Sequence, residues 1–345
     1  MRTDPRVAFA NNYSMANAFR DVALGTYPRQ HLYGADALAR AGWDVAVAPF
    51  SDRSDALARR LRYRLGDPGQ QAFVVRSRRA AYAGEVNSLA LLAYARALRL
   101  RRRPLVAVLH TVPRRTARTA LLLRGYDALV CLSSYVRDEV TDRFGLANVT
   151  WAAWGPALDF PGYAAAPGER VVSSGKTNRD QATLLAALDG IPATVYARSP
   201  RGLSAPDGVE LVTDETHEDS VVPGGPKFSY GHVLKDLVAA SVVAIPLRDP
   251  DKISGLSELN DALALGKPVV VTRTPHLRDV DVEAIGCGCW VEPGDVDGWR
   301  AALRRLSSDA ALRERMGAAG RAFAEREWNA DVFGAAVCQA LASVS

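Results

Sequence analysis

Cysteine and lysine are scarce. Four cysteines occur in 345 residues, at 131, 287, 289 and 338. Cys287-Gly-Cys289 has no second pair at zinc spacing, and one intervening residue is tight for a disulfide. All four therefore read as reduced thiols, and no metal site is expected. No apolar run reaches roughly eighteen residues, so no membrane-spanning helix is expected. The first ten residues run into a strand pattern without the apolar core of a signal peptide, which predicts a cytoplasmic protein. No Gly-x-Gly-x-x-Gly follows the first strand, which argues against a nicotinamide enzyme. Ser133-Ser134 lacks the glycine elbow of a hydrolase. Only five of the 43 basic residues are lysine, so the excess of arginine reflects coding bias as much as function.

What is present is a large apolar fraction, 48%, in a chain long enough for two α/β domains. The net charge is +5, and arginines crowd between 96 and 118. Such a patch suits phosphates, acidic polymers or an anionic membrane surface. No aromatic platform is interleaved with it, so nucleic acid is not expected as a partner.

Apolar β-branched runs alternate with helical periodicity, which predicts parallel sheets. In the first half, strands are predicted at Val7–Ala10, Asp44–Pro49, Ala72–Val75, Leu105–His110, Ala128–Leu132 and Val149–Ala152. Helices are predicted at Gln30–Ala41, Asp52–Leu65, Ala80–Leu98, Thr116–Arg124 and Ser134–Phe144. The second half starts again at Val171-Val-Ser-Ser-Gly175. Its strands are expected at 193–197, 209–212, 242–246, 268–272 and 289–291, with amphipathic helices between and after them. Pro and Gly in Trp154–Gly168 mark a linker. The expected domains are 1–155, rejoined by a C-terminal helix at 330–345, and 156–329.

The densest stretch runs from Ile253 to Thr272. Ser254-Gly255 precedes a helix that ends at Gly266, and Pro268 opens a buried strand. Free amides and the helix dipole at such a start favour an anion. Asp279-Val-Asp281 and Asp295-Val-Asp297 mimic a metal motif, but the second reads more simply as a helix cap.

Four stretches, taken in order, resemble one family. They are Leu109-His-Thr-Val-Pro113, Ala128–Asp138, Ser173–Leu185 and Ser254–Thr272. The chain resembles the GT-B glycosyltransferases, most of all the family-4 enzymes that use nucleotide-sugar donors. The resemblance implies two Rossmann-like domains facing across a cleft, with the donor on the second and the acceptor on the first. It implies transfer to an acceptor hydroxyl, with retention and without a metal. The donor would be a UDP-, GDP- or dTDP-sugar, with no other cofactor.

By the same resemblance, Lys176 and Arg179 follow the strand-end Gly175 and grip the donor diphosphate. Backbone amides at Ser254, Gly255, Leu256 and Ser257 hold phosphates and sugar hydroxyls. Asp261 takes the place of the family's second glutamate, which meets the ribose. The first glutamate falls on Ile253, or on Lys252 or Asp251 if the loop slides, so a sugar-contacting glutamate is missing or Glu258 does its work from another turn. His110, at a strand end, is the catalytic candidate near the donor sugar. Gln30 and His31 at a helix start, and Arg76 at a strand end, are the acceptor-side candidates. The acceptor is either a lipid-linked or polysaccharide glycan or a small metabolite. The basic patch allows peripheral contact with the inner membrane face. Two alternatives stay open: a non-catalytic sugar-nucleotide-binding homologue that partners an active transferase, and a sugar-nucleotide epimerase on the same fold.

Overall fold

The structure, a computed structural model, describes residues 5–61, 63–213, 230–249 and 253–344. The chain divides into two compact units, Met1–Ala157 with Asn329–Ser345, and Leu158–Trp328. Each is a parallel six-stranded α/β sandwich.

The N-terminal unit has strands β1 (Arg6–Ala10), β2 (Asp44–Val47), β3 (Ala80–Ala83), β4 (Leu105–Leu109), β5 (Ala128–Cys131) and β6 (Val149–Trp151), in the order β2-β1-β3-β4-β5-β6. Every residue of β3, β4 and β5 is buried, as a sheet covered by helices on both faces requires. The order reverses at β1, so a crevice opens beyond the carboxyl ends of β1 and β3. The C-terminal helix Ala330–Ala342 belongs to this unit. Asp331 near its start pairs with Arg29 and Arg40, and a Cβ on its Gly334 would sit 2.5 Å from that of Ala37.

The C-terminal unit has β7 (Arg170–Ser173), β8 (Ala193–Ala197), β9 (Val209–Thr213), β10 (Ala240–Ile245), β11 (Val269–Thr272) and β12 (Gly288–Val291), in the order β12-β11-β10-β7-β8-β9. Here the reversal falls between β7 and β10. Trp299, Leu303 and Leu306 of the helix Val296–Ser308 fill one side of this sheet.

Several local expectations change. The stretch 72–75 is not a strand but part of the helix Pro68–Ser77. Asp67 caps it by accepting from the Gln70 N–H, and Pro68 takes the first position, where its missing N–H is no loss. The true third strand is Ala80–Ala83, followed by a loop and the helix Ala90–Ala97, in place of one long helix. Asp52–Leu65 shortens to a helix over Asp52–Arg60. Gln30–Ala41 splits into a 3-10 turn, Arg29–Leu32, and a helix, Ala35–Arg40. The break is at Tyr33 (φ 50°) and Gly34 (φ 77°), both left-handed. A helix at Met15–Ala23, capped by Ser14, lies within the stretch expected to be loop. Trp154–Gly168 is anchored rather than loose. Trp154 and Ala157 bond to Gln30 in the N-terminal unit, and Tyr163 bonds to Asp261 in the C-terminal unit.

Candidate active site

In the C-terminal unit three loops meet at the carboxyl ends of β7 and β10. Asn178, in the left-handed conformation (φ 55°), ties them together. Its Nδ2 donates to the Asp249 carbonyl (2.8 Å) and to Ser254 Oγ (3.1 Å), and its Oδ1 accepts from the Asp249 N–H (3.1 Å). Beside it, Glu258 stands in the first turn of the helix Leu256–Leu265. Its Oε1 accepts from Ser174 N (2.6 Å), Ser174 Oγ (2.7 Å) and Gly175 N (3.2 Å). Its Oε2 accepts from Arg179 Nη2 at 2.7 Å. The two side chains are only 4% and 5% exposed, so this is a buried ion pair that fixes the turn after β7. Arg179 Nη1 also donates to the Thr177 carbonyl (2.8 Å), while Nε is buried with no partner among the described residues.

Two glycines are required by this geometry. A Cβ on Gly175 would lie 2.1 Å from Arg179 Nη2, inside the guanidinium. Gly255 caps the helix at φ 82°, and a Cβ there would meet Ile245 at 2.6 Å. No side chain caps this helix start, so its first amides face the loop junction. Lys176 is half-buried on the same turn. The structure therefore brings Gly175, Lys176, Arg179, Ser254, Gly255, Leu256, Ser257 and Glu258 into one corner. Both oxygens of Glu258 serve Ser174, Gly175 and Arg179. Ile253 is half-buried beside it; Asp251 and Lys252 lie outside the described residues.

One turn along the helix, Asp261 is 5% exposed. Its Oδ1 accepts from the hydroxyls of Tyr163 (2.6 Å) and Tyr230 (2.9 Å). Burial pushes its carboxyl up to about 7, the tyrosine hydrogen bonds work against that rise, and the nearby Glu258 charge adds to it. The neighbouring Asn260 accepts from Trp328 Nε1 at 2.9 Å. Neither tyrosine was found from the sequence. Tyr163 sits in the Pro- and Gly-rich stretch read as linker, and the one local signal was its aromatic neighbour Phe160, with ring centroids 5.1 Å apart.

In the N-terminal unit, a cavity of about 920 Å3 opens at the ends of β1, β3 and β4. His110 lines it. Its Nε2 donates to the Gly84 carbonyl at 2.7 Å, which leaves Nδ1 as the acceptor in the neutral ring. Burial lowers its pKa, and the Gly84 bond partly restores it. Next to it Glu85 accepts from Asn87 N (2.8 Å) and Asn87 Nδ2 (2.7 Å), and burial raises its carboxyl.

The other acceptor-side candidates lie elsewhere. Gln30 is 2% exposed, its Oε1 accepts from Ala157 N (2.8 Å), and its carbonyl accepts from Trp154 Nε1 (2.9 Å). The His31 ring stacks on Tyr27 at 4.7 Å and meets the edge of Trp154 at 5.6 Å. Burial pushes its pKa down to about 4, so it stays neutral. Both residues belong to the 3-10 turn rather than to a capped helix start. Arg76 is exposed on the last turn of the helix Pro68–Ser77, not at a strand end. None of the three lines the cavity. Asp281 and Asp295 each cap a helix. Among the described residues, no group of His, Cys, Asp and Glu is arranged to hold a metal ion.

Residues 239–323 match the family described as Glycosyl transferases group 1. A mannosyltransferase of Corynebacterium glutamicum is 32% identical over 112 residues, 31% of this chain and 29% of that enzyme. It is described as GDP-mannose-dependent and acting on a monoacylated α-(1-6)-phosphatidylinositol monomannoside. The match thus spans under a third of that relative's length. Among solved structures, the Anabaena protein HepE in complex with UDP superposes with a TM-score of 0.67 at 15% identity, covering 98% of this chain and 100% of that one. A glycosyltransferase of Rickettsia africae gives 0.69 at 10% identity, covering 100% and 99%. Sucrose-phosphate synthase of Thermosynechococcus elongatus gives 0.67 at 15%, covering 98% of each chain. At these identities the likeness is one of fold, and the fold is GT-B.

Proposed function

We propose that this chain, which carries a Glycosyl transferases group 1 domain over residues 239–323, moves a sugar from a nucleotide-diphosphate donor to an acceptor hydroxyl. One observation carries the reading. An uncapped helix start, a glycine turn and two basic residues converge where the strand order of the C-terminal sheet reverses. The first amides of the helix Leu256–Leu265, together with Lys176, meet the diphosphate. Arg179 and Glu258 hold the turn that presents them, and the guanidinium adds positive potential as the leaving group gains charge. Asp261, steadied by Tyr163 and Tyr230, takes the ribose hydroxyls. His110 Nδ1 accepts from a hydroxyl in the N-terminal cavity and orients it.

The finer parts of the reading are retention of anomeric configuration and departure of the nucleotide without a metal. They rest on the resemblance and on the cations already at the turn. UDP in the HepE complex and GDP-mannose in the mannosyltransferase name the first two donors to try. A membrane role is part of the same proposal. Leu61, Leu65, Leu91, Leu98 and Leu100 are exposed in the N-terminal unit, and the last two flank Arg99, shortly before Arg102 and Arg103. That combination suits an anionic bilayer. Arg96 is not part of it, because it pairs with Asp127.

The test is nucleoside-diphosphate release from UDP-glucose and GDP-mannose, with and without candidate acceptors, in EDTA and in magnesium. Acceptor-dependent release, with a product of the donor's anomeric configuration by proton NMR, supports the whole reading. Donor conversion without acceptor would indicate an epimerase. Tight donor binding without turnover would indicate a non-catalytic partner, a reading the resemblance favours because the family's first glutamate falls on Ile253, or on Lys252 or Asp251 if the loop slides.

A further inference from the structure

The N-terminal cavity is lined by two chemically distinct sets of residues. Arg64, Arg114 and Arg118 form one set, and all three are exposed. Some other arginines of this unit are paired, as Arg59 is with Asp55, Arg96 with Asp127 and Arg143 with Glu139. None of the three at the cavity makes an ion pair among the described residues. Three like charges facing one space repel one another unless an anion enters it. The helix Ala117–Arg124 begins at the same rim, capped by Thr116 and with no acidic residue in its first turn. Its dipole adds to the positive potential.

The second set is Asn12, Glu85, Asn87 and His110. Glu85 and His110 Nδ1 offer acceptors, and the asparagine amides offer both donors and acceptors. A polyol, whose hydroxyls donate and accept, satisfies such a set. An anion is unwelcome beside Glu85 and is favoured beside the arginines. The volume, about 920 Å3, falls in the range of sites for small ligands.

We propose that this cavity binds a phosphorylated polyol, with the phosphate at Arg64, Arg114 and Arg118 and the hydroxyls at Asn12, Glu85, Asn87 and His110. The inference rests on the proposed function only in making this ligand the acceptor; the binding itself is independent of it. A lipid headgroup and a free sugar phosphate present the same chemistry.

The experiment is calorimetric titration of the full chain with glucose, glucose 6-phosphate, myo-inositol, myo-inositol 1-phosphate and inorganic phosphate. Sedimentation with phosphatidylcholine vesicles, with and without phosphatidylinositol, is measured alongside. Each phosphorylated polyol, or the phosphatidylinositol vesicle, is expected to bind at least about tenfold more tightly than its neutral counterpart. Arg114→Ala and Arg118→Ala should each weaken that binding about tenfold. Arg115→Ala, on the same loop but not lining the cavity, should leave it unchanged. Binding of the soluble compounds assigns a free metabolite; binding of the vesicle alone, lost in Arg114→Ala/Arg118→Ala, assigns a headgroup.

Equal binding of neutral and phosphorylated probes would overturn the proposal, as would no binding at all, or binding that ignores both arginine variants. Inorganic phosphate binding as tightly as the sugar phosphates would reduce the site to an anion site and overturn the polyol half. Nucleoside-diphosphate binding, measured on the same samples, reports on the C-terminal unit. Its loss with cavity binding intact would count against the proposed function alone.

Discussion

Glu258→Ala tests how the C-terminal corner is held together. The wild-type carboxylate is 4% exposed and receives hydrogen bonds from Ser174 N, Ser174 Oγ, Gly175 N and Arg179. Its removal leaves a guanidinium at 5% exposure without its counter-charge, and frees two backbone amides of the turn. Breaking a buried pair from one side costs about 3–5 kcal/mol, most of it from the stranded charge. The unit affected spans Leu158–Trp328. For a unit of that size, each kcal/mol lowers the melting temperature by roughly 2–4 °C, so the expected drop is about 6–20 °C. Differential scanning calorimetry of the full chain gives the number, and the transition of the C-terminal unit is the one that should move. Glu258→Gln keeps an acceptor for Ser174 and Gly175 and should lose less. Replacing both partners, as in Glu258→Leu/Arg179→Met, should recover most of the loss, because no charge is then left buried. A melting temperature for Glu258→Ala within about 2 °C of wild type would refute the reasoning, since 3 kcal/mol would be absent.

Three further outcomes are expected. Asp261 holds its proton up to about pH 7 when folded, against an ordinary value of 3.8. The folded state therefore binds more protons across that window, and the destabilisation due to this carboxyl grows as pH rises through it and is constant above. Asp261→Asn should accordingly gain melting temperature over wild type as pH rises from 3.8 to about 7; a flat difference would sink the idea. Gly175→Ala places a Cβ 2.1 Å from Arg179 Nη2, so the turn must move. Nucleoside-diphosphate affinity, measured by fluorescence titration, should fall roughly tenfold or more, and unchanged affinity would separate this turn from the phosphate site. His110→Asn should lower kcat by roughly 100-fold with little change in melting temperature. Because burial lowers the His110 pKa, wild-type activity should persist below pH 6.5 before protonation of Nδ1 removes it. A kcat unaffected by the substitution would exclude the histidine from the chemistry.

Local patterns carried much of the architecture. Leu105–Leu109 and Val269–Thr272 are apolar and largely β-branched, and they form strands where the sequence places them. Gly255 and Gly266 bracket the helix between them at positive φ, as a glycine start and stop imply. Ala80–Ala83 was misread because alanine favours helices, while its strand state is imposed by neighbours β1 and β4. The pairings within the candidate site were invisible for another reason. Arg179 and Glu258 are 79 residues apart, and Tyr163 and Asp261 are 98 apart. No local spacing records such contacts. The bond from Ala157 to Gln30 is hidden in the same way, because it spans 127 residues.

The central claim is that the corner formed by Gly175, Lys176, Arg179 and the helix start at Leu256 receives a nucleoside diphosphate. Calorimetric titration of UDP, GDP, dTDP and ADP into wild type and Lys176→Ala tests it most directly. Binding of at least one of the four, weakened about tenfold by the loss of the lysine, is the predicted result. Failure of all four to bind wild type, or binding that Lys176→Ala does not alter, would contradict it.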